Sequence, residues 1–391
     1  MKNNSKDKFM LPVVPKYQPE DIASILKHLE SAGKFSDLYL ASERPISIKV
    51  DGEPFAVSRK SLDHEEVRGF LNYLTKDETA HIFIATGMDI DENSSIPTGI
   101  RNDYYRYRLN ASSFTIPDKG RGINITLRTL SQVVPSLEEI KLDSRIAQSL
   151  MPEQGLVLVC GATGSGKSTT IASSIKYCVT RNEKDENGEF SYKGKVILTY
   201  EDPIEYIHNY HCENGTLIFQ ASVGERGDVK SFKQGLKNAL RRAPNYIVVG
   251  ELRDEESVDI ALQICNSAHT CISSLHAADI SAVFDRLAGY YPAQVQTAKV
   301  IQILQSIRTC MVQSLAPKLG GGRHMLKEYL EFNNEVIDSI TDELQRKGID
   351  NLKHIIKGHV AKYGITMSQS AKEAFDSGLI SNMTLLTYCE V

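Results

Sequence analysis

The chain has 391 residues and an ordinary globular composition, with 41% apolar and 24% charged residues, and its length predicts two or three domains. The formal net charge of −4 argues against a broad electrostatic footprint for nucleic acid, so we expect no direct binding of DNA or RNA. The seven cysteines include no C-x-x-C pair, which argues against a zinc site. Their scatter through apolar segments predicts buried thiols in a reducing compartment.

The amino-terminal residues carry no sign of export. Residues 1–8 are polar, which predicts no secretory signal. No apolar stretch approaches the ~20 residues that a membrane-spanning helix requires. We therefore expect a cytoplasmic protein that associates peripherally with the inner membrane only through partners.

The first third of the chain predicts a mixed α+β module. Residues 1–15 are predicted as a disordered tail, and the module itself as residues 16–130. Apolar residues at helical spacing begin the module, and short β-rich runs follow, two of which form a predicted strand pair around a Gly/Pro-containing loop. Residues 131–143, which include Pro135, are predicted as a linker.

From residue 144 onward, helical segments alternate with short apolar runs. Residues 156–160, 196–200, 246–250 and 270–275 are β-rich and are predicted to form the parallel sheet of an α/β nucleotide-binding core over residues 144–322. A polar insertion at residues 181–194 is predicted as a mobile loop. After Val300 the pattern is mostly helical with an interruption at residues 317–322, and residues 323–391 are predicted as a helical subdomain.

The most specific motif is a glycine-rich loop between an apolar run and a helix-compatible segment. Its residues are Gly161, Ala162, Thr163, Gly164, Ser165, Gly166, Lys167 and Ser168, followed by Thr169. The spacing G-x-x-x-x-G-K-[ST] in a strand–loop–helix context indicates a nucleotide-phosphate site. Glycines let backbone N–H groups turn inward, and the helix N-terminus adds unpaired donors. We expect Lys167 to contact the β- and γ-phosphates of ATP and the Ser168 hydroxyl to ligate Mg²⁺.

Acidic residues follow two other predicted strands. Glu201 and Asp202 lie directly after the second strand of the core, where they are predicted to hold Mg²⁺ or to polarise the attacking water. Glu251 follows the third strand, and Gly250 stands where an NTPase usually carries a strand-terminal Asp. Glu251 is therefore the candidate base that orients and deprotonates water.

Histidines and arginines complete the set of candidates. His269 and His276 bracket the last core strand, where they could report occupancy of the γ-phosphate position. Arg108, Arg121 and Arg128 belong to the amino-terminal module, which carries no acidic motif of its own. Hydrolysis needs positive charge near the leaving phosphates. These arginines are therefore predicted to supply that charge from a module separate from the one that carries the phosphate loop.

Taken in order, these motifs resemble one family, the hexameric secretion and pilus ATPases of type II and type IV secretion systems. In the amino-terminal module, the segments that carry the resemblance are Ser36-Asp37-Leu38-Tyr39-Leu40 and Arg106-Tyr107-Arg108. In the rest of the chain they are the phosphate loop as Walker A, Glu201-Asp202-Pro203-Ile204-Glu205 as the Asp box, Gly250-Glu251-Leu252-Arg253-Asp254 as an atypical Walker B, and Ser274-Leu275-His276-Ala277 as the His box. The resemblance implies a PAS-like amino-terminal domain, a RecA-like P-loop ATPase domain with a carboxyl-terminal helical extension, and a homohexameric ring.

Within the family, two carboxyl-terminal segments, Leu326-Lys327-Glu328-Tyr329-Leu330-Glu331-Phe332 and Ser377-Gly378-Leu379-Ile380-Ser381, resemble the type IVB secretion and conjugation ATPases of the DotB and TraJ type. The implied function is ATP hydrolysis that powers a secretion or conjugation complex of the inner membrane. The alternatives are a pilus retraction ATPase of the PilT type, a DNA-pumping conjugation motor, and an ATP-gated adaptor with negligible turnover. Intact Lys167, Glu201 and Glu251 argue against the adaptor.

Overall fold

The computed structural model describes residues 6–101, 103–130, 133–180, 193–210 and 212–389. Most of the insertion predicted at residues 181–194 lies outside the described residues. The chain divides into two compact units at the boundary between Gln132 and Val133. An α+β first unit and an α/β second unit with a largely parallel sheet confirm the expected fold class.

The first unit is built on an antiparallel sheet with the order β3-β2-β1-β6-β5-β4. Its strands are β1 (Asp37–Ala41), β2 (Pro45–Val50), β3 (Glu53–Ser61), β4 (Ile90–Pro97), β5 (Tyr104–Ile116) and β6 (Gly120–Thr129). Its helices are α1 (Asp21–Ala32), α2 (His64–Thr75) and α3 (Ala80–Ala85). Alternate residues of each strand face the helices, as Ile123, Ile125 and Leu127 of β6 do, and they form one apolar core. Polar side chains such as that of Arg128 consequently project from the opposite face.

The expected disordered tail is wrong for the part of it that the structure describes. Phe9 and Leu11 are only 3% and 6% exposed and belong to the core of the first unit. The Leu11 backbone N–H also donates to the carbonyl oxygen of Val57 at 2.8 Å. Burial of these two apolar side chains orders the segment. The prediction of disorder gave weight to the polar residues 1–8 and not to Phe9 and Leu11.

The second unit holds a seven-stranded sheet with the order β13-β12-β7-β11-β10-β8-β9, parallel except for β13. Its strands are β7 (Gly155–Cys160), β8 (Val196–Glu201), β9 (Leu217–Ser222), β10 (Tyr246–Val249), β11 (Thr270–Leu275), β12 (Ile307–Pro317) and β13 (Arg323–Glu331). Its helices are α4 (Leu137–Ile140), α5 (Ser144–Ser149), α6 (Lys167–Thr180), α7 (Phe232–Ala239), α8 (Glu255–Asn266), α9 (Ile280–Gly289), α10 (Ala293–Ser306), α11 (Asn334–Lys347), α12 (Leu352–Tyr363), α13 (Met367–Asp376) and α14 (Asn382–Cys389). Strands β7, β10 and β11 are buried along their whole length, so both faces of the sheet are covered.

The described part of the predicted linker belongs to the second unit and is ordered by its own contacts. Ser136 and Glu139 form a capping box that starts helix α4, and Leu137 is buried in the core beneath it. The carbonyl oxygen of Pro135 accepts from the Ser173 hydroxyl of helix α6 at 2.9 Å. A capped helix and a buried leucine show that this segment packs against the rest of the second unit. Pro135, on which the prediction of a linker relied, indicates only that a regular helix or strand is interrupted there.

The segment after Val300 is mostly helical as predicted, but the prediction missed the antiparallel hairpin that β12 and β13 form at the end of the sheet. Strand β12 lies between β13 and β7, and residues on both of its faces are buried. A short apolar run without alternation cannot be distinguished from a buried helix by periodicity. The hairpin turn uses Gly320, Gly321 and Gly322 at φ of 85°, 99° and 80°. Helices α11 to α14 follow it, so the expected helical subdomain begins after β13.

Candidate nucleotide site

Strand order brings the sequence motifs of the second unit to one edge of the sheet. Strands β7, β11, β10 and β8 are consecutive neighbours and all run parallel. Near their carboxyl ends, Cys160 pairs with Leu275, and Val249 pairs with both Ser273 and Tyr200. The residues that follow these four strands therefore lie side by side, where open α/β sheets bind their ligands.

The phosphate loop connects β7 to the start of α6 at Lys167. Gly164 and Gly166 have φ of 76° and 91°, in the left-handed region that side chains disfavour. A Cβ on Gly161 would lie 2.4 Å from the carbonyl oxygen of Gln313 and 2.6 Å from Ser165 Oγ. The loop therefore depends on its glycines both for backbone conformation and for close packing. Its shape and the helix that follows it fit a nucleotide phosphate.

Lys167 lies over the loop with its ammonium group in contact with the loop carbonyls. Its Nζ donates to the oxygens of Gly161 at 3.0 Å and Ala162 at 3.1 Å. Burial lowers the pKa of Lys167 from its ordinary value, and the nearby Glu251 carboxylate opposes that shift. A phosphate at the loop would oppose it further, because a neighbouring negative charge favours the ammonium form.

His276 connects Lys167 to Glu251. Its Nδ1 lies 3.4 Å from Lys167 Nζ, and its Nε2 lies 3.4 Å from Glu251 Oε1. An ammonium group can only donate, so Nδ1 accepts, and Nε2 carries the hydrogen that points at the carboxylate. Both contacts are long, yet they place the predicted base and the phosphate-binding lysine on the two sides of one imidazole ring.

Two kinds of contact fix the position of Glu251: hydrogen bonds of the preceding residue, Gly250, and a contact of the Glu251 carboxylate with Arg253. The Gly250 N–H donates to the carbonyl oxygen of Tyr200 at 2.9 Å, and the Ser274 hydroxyl donates to the Gly250 carbonyl at 2.7 Å. These bonds tie the end of β10 to both neighbouring strands. The carboxylate also accepts from Arg253 Nε at 3.1 Å, and its side chain is 18% exposed. Glu251 is thus oriented while remaining accessible to water.

Glu201 and Asp202 lie at the end of β8 but differ in their surroundings. Glu201 Oε1 accepts from the Thr199 hydroxyl at 2.6 Å and from Gln220 Nε2 at 3.2 Å, which fixes that carboxylate on the sheet. Asp202 is exposed. The loop beyond them reaches the phosphate-loop helix, because the Tyr206 hydroxyl lies 2.9 Å from Thr169 Oγ1.

The structure does not bring His269 to this edge. His269 precedes β11, and its carbonyl oxygen accepts from the N–H of Gly155 at the start of β7. His276 follows the same strand at its other end, roughly 20 Å away at the rise of an extended chain. The expectation that both histidines serve one phosphate position is therefore wrong within a single chain, since two residues that bracket a strand lie at opposite edges of the sheet.

The three arginines project from the first unit, and each has a partner within that unit. Arg108 forms a two-point ion pair with Asp91 at 2.9 and 2.7 Å, and Arg128 pairs with the buried Asp37 at 2.8 Å. Arg108 and Arg128 are register partners on β5 and β6. Arg121 lies near the hairpin between these strands and donates to the Ala85 carbonyl at 2.9 Å. Two of the three predicted arginines thus form one patch, and Arg121 lies apart from it.

Several contacts of the site were not predicted from the sequence. Thr199 and Gln220 hold Glu201, and Gln313 of β12 donates to the phosphate loop. Gln313 was overlooked because its segment was predicted as helical. Thr199 and Gln220 lie on neighbouring strands, and only the register of β8 and β9 pairs them.

The fold and the site define a P-loop ATPase with a RecA-like core and a separate amino-terminal domain. The chain belongs to the type II/IV secretion system protein family, whose model matches residues 82–377. It is 29% identical over 364 residues to the type IV pilus retraction ATPase PilT of Pseudomonas aeruginosa, covering 90% of this chain and 97% of PilT. These findings confirm the resemblance to secretion and pilus ATPases.

Two solved structures share the fold along nearly the whole chain. The X-ray structure of the Legionella pneumophila ATPase DotB matches with a TM-score of 0.82 and 29% identity, covering 97% of this chain and 98% of DotB. The crystal structure of the pilus retraction motor PilT with bound ADP matches with a TM-score of 0.75 and 26% identity, covering 94% and 96%. Within the described residues, no helix has the length and apolar character needed to cross a bilayer.

Proposed function

We propose that this protein hydrolyses ATP at the edge formed by β7, β11, β10 and β8. The observation that carries the proposal is the chain of contacts from Lys167 through His276 to Glu251 beside the phosphate loop. It joins a phosphate-binding cation to a carboxylate that can accept a proton, which is the pair of groups that attack of water on a γ-phosphate requires.

Each residue then has a distinct task. Lys167 exchanges its contacts with the loop carbonyls for the β- and γ-phosphates, and backbone N–H groups of the loop bind the same oxygens. Glu251 accepts the proton of the attacking water, and the imidazole of His276 fixes the carboxylate through Nε2. Arg253 restrains the second carboxylate oxygen at 3.1 Å. These are positioning and electrostatic effects, which dominate phosphoryl transfer.

The same edge fits Mg²⁺ as the second cofactor. We propose that the Ser168 hydroxyl, with Glu201 and Asp202 directly or through water, would hold the ion, which neutralises charge on the phosphates when bound. The described residues include no group of three or more His, Cys, Asp or Glu able to hold a metal by themselves. Mg²⁺ is usually bound by one or two protein oxygens together with phosphates and water, so this donor set suits it.

We also propose that Arg108, Arg121 and Arg128 supply positive charge to the phosphates in a homohexameric ring. The support is the family resemblance, together with the position of Arg108 and Arg128 on the polar side of the first unit's sheet and of Arg121 near the hairpin between β5 and β6. The side chains of Arg108 and Asp91 are both 42% exposed, and an exposed ion pair contributes little free energy. Arg108 can therefore leave Asp91 for a phosphate at a small cost in free energy.

For the biological role, we propose that ATP hydrolysis powers a type IV secretion or conjugation complex at the cytoplasmic face of the inner membrane. The support is the full-length match to DotB, with a TM-score of 0.82 and 98% of that chain covered. Attachment to the membrane would come through partner proteins.

A pilus retraction motor is the second candidate. PilT is matched over 97% of its length in sequence and 96% in structure, so coverage favours it as much as it favours DotB. A DNA-pumping motor is the weaker alternative, because the net charge of −4 provides no excess of positive charge for a polyanion.

The enzymatic proposal is tested by steady-state ATP hydrolysis of the purified full chain, with and without Mg²⁺ and with and without DNA. We expect Mg²⁺-dependent turnover that DNA does not change, and a hexameric mass by light scattering with nucleotide present. Turnover that rises with DNA and falls steeply with salt would instead support the DNA motor. Absence of Mg²⁺-dependent turnover from a folded hexamer would overturn the proposal.

The biological role is tested in the native host by replacing the gene with its Glu251→Gln form. Loss of secreted or conjugated substrate with normal pilus-driven motility supports the secretion role. The reverse pattern supports pilus retraction and contradicts the secretion role.

A further inference from the structure

Gln313 lies beneath the phosphate loop on β12, a strand that carries none of the recognised motifs. Its side chain is buried, with 2% exposure for the residue, and its Nε2 donates to the carbonyl oxygen of Ser165 at 2.6 Å. Gly161 and Gly166 of the loop pack against the same residue, since an added Cβ would lie 2.4 Å from the Gln313 carbonyl and 3.1 Å from Gln313 Nε2. The loop and this glutamine are therefore fitted to each other.

The bond to Ser165 determines the direction of a neighbouring donor. The Ser165 carbonyl and the Gly166 N–H belong to one planar trans peptide, so they point in opposite directions. Because Gln313 holds the carbonyl toward β12, the Gly166 N–H is directed away from β12. Ala162, Thr163 and Gly164 of the loop are exposed, so a phosphate oxygen that approaches the loop from solvent would need a donor such as this N–H.

Packing alone does not favour glutamine at this position. Among the described residues, Gln313 Oε1 and Ser165 Oγ are buried without a hydrogen-bond partner. A buried polar atom without a partner is unfavourable for folding, and an apolar side chain of the same size would avoid it. The amide is consistent with a requirement for its N–H at the Ser165 carbonyl.

We infer that Gln313 is a positioning residue of the nucleotide site, which aims the Gly166 N–H at the phosphates by holding the Ser165 carbonyl. The inference rests on the proposed function, since it requires that the loop binds a nucleotide. Gln313 contacts no phosphate itself. It acts through one peptide group, so its removal weakens phosphate binding without removing any atom from the loop.

The test replaces Gln313 by Met, which keeps the length and volume of the side chain but cannot donate. We expect the full-length Gln313→Met protein to bind ADP about tenfold more weakly, the loss of one charge-assisted hydrogen bond. The ³¹P resonance of the β-phosphate of bound ADP should shift as well. The matched control is Met311→Leu, a substitution of similar volume at a buried position on the same strand, for which ADP affinity and the resonance should stay as in the wild type.

Three results separate the possibilities. Unchanged ADP affinity in Gln313→Met, with wild-type binding intact, overturns the role of Gln313 and leaves the proposed function in place. Failure of the wild-type chain to bind ADP overturns the proposed function itself. Equal losses in Gln313→Met and Met311→Leu would show that β12 packing is responsible, which also overturns the inference.

A second variant keeps the inference testable if Gln313→Met does not fold. In Gln313→Glu, a protonated carboxyl group can donate to the Ser165 carbonyl, whereas the ionised form repels it, and burial favours protonation. We expect the difference in ADP affinity between this variant and the wild type to narrow as the pH falls from about 7.5 to about 5.5. A difference that does not depend on pH would contradict the inference.

Discussion

The two units of this protein present their polar groups in different ways. In the second unit, the site residues follow the carboxyl ends of adjacent parallel strands, and both faces of the sheet are covered. In the first unit, Arg108 and Arg128 project from the polar face of an antiparallel sheet, where they pair with the carboxylates of Asp91 and Asp37, and Arg121 lies apart from them near a hairpin. The parallel sheet thus brings its polar side chains together at one edge, while the antiparallel sheet distributes its charged side chains over a surface.

The difference indicates which unit can carry chemistry by itself. Lys167, His276 and Glu251 already contact one another within the second unit. Arg108, Arg121 and Arg128 each contact a group of their own unit, so a catalytic role for them requires exchange of those partners. Substitutions in each unit therefore test whether the first unit takes part in hydrolysis or only supports the fold.

The largest effect is expected from Lys167→Ala. The phosphates lose their main cationic partner, so ATP binding should become undetectable and turnover should fall by at least about 10³-fold. Nucleotide titration and steady-state phosphate release measure both quantities. Lys176→Ala is the matched control on the same helix, since its Nζ bonds to the Val134 carbonyl away from the loop. Normal turnover in Lys167→Ala would show that the phosphate loop is not the site.

The arginines of the first unit provide the sharpest contrast between the units. If they act on the phosphates, Arg108→Ala, Arg121→Ala or Arg128→Ala should lower turnover by about 10³-fold, the effect of removing a transition-state cation. The exposed Arg108–Asp91 pair contributes at most about 1 kcal/mol, so the melting temperature of Arg108→Ala should change little.

Lys119→Ala is the control for these arginines, because it removes an exposed cation of the same unit that pairs with Glu43. It should leave turnover unchanged. Arginine variants that hydrolyse ATP as fast as this control would restrict the first unit to docking or assembly.

Glu251→Gln should separate binding from chemistry in the second unit. The amide cannot accept the proton of water, so we expect turnover to fall by roughly 10²–10³-fold while ATP binding persists. Single-turnover hydrolysis together with a binding titration checks both parts. Loss of nucleotide binding would instead assign Glu251 to the metal or to the integrity of the loop.

The smallest effect is expected at His276. Its two long contacts position Lys167 and Glu251 without supplying charge to the reaction, so His276→Ala should lower turnover about tenfold. His269→Ala is the matched control at the other end of β11 and should leave turnover of the isolated chain near that of the wild type. If the two variants behave alike, the contacts of His276 have no catalytic consequence.

Much of the site could be predicted from the sequence because its motifs are local. The phosphate loop requires glycines at fixed spacing before a helix, and Glu251 and Glu201 directly follow apolar runs of strand length. The alternation of short apolar runs with helical segments also predicted a parallel sheet covered by helices. The hairpin of β12 and β13 was missed because a strand buried on both faces shows no alternation, and Phe9 and Leu11 were missed because their partners lie elsewhere in the chain.

By itself, the sequence determined which residues can bind a phosphate and accept a proton, since those properties belong to side chains and short loops. Only the tertiary structure decided which of them meet. The order β7-β11-β10-β8 joins Lys167 to Glu251 through His276 and leaves His269 at the opposite edge. The hairpin brings Gln313 beneath Ser165, 148 residues away in sequence. Such contacts depend on strand order and register, which arise from the packing of the whole sheet and not from any local pattern.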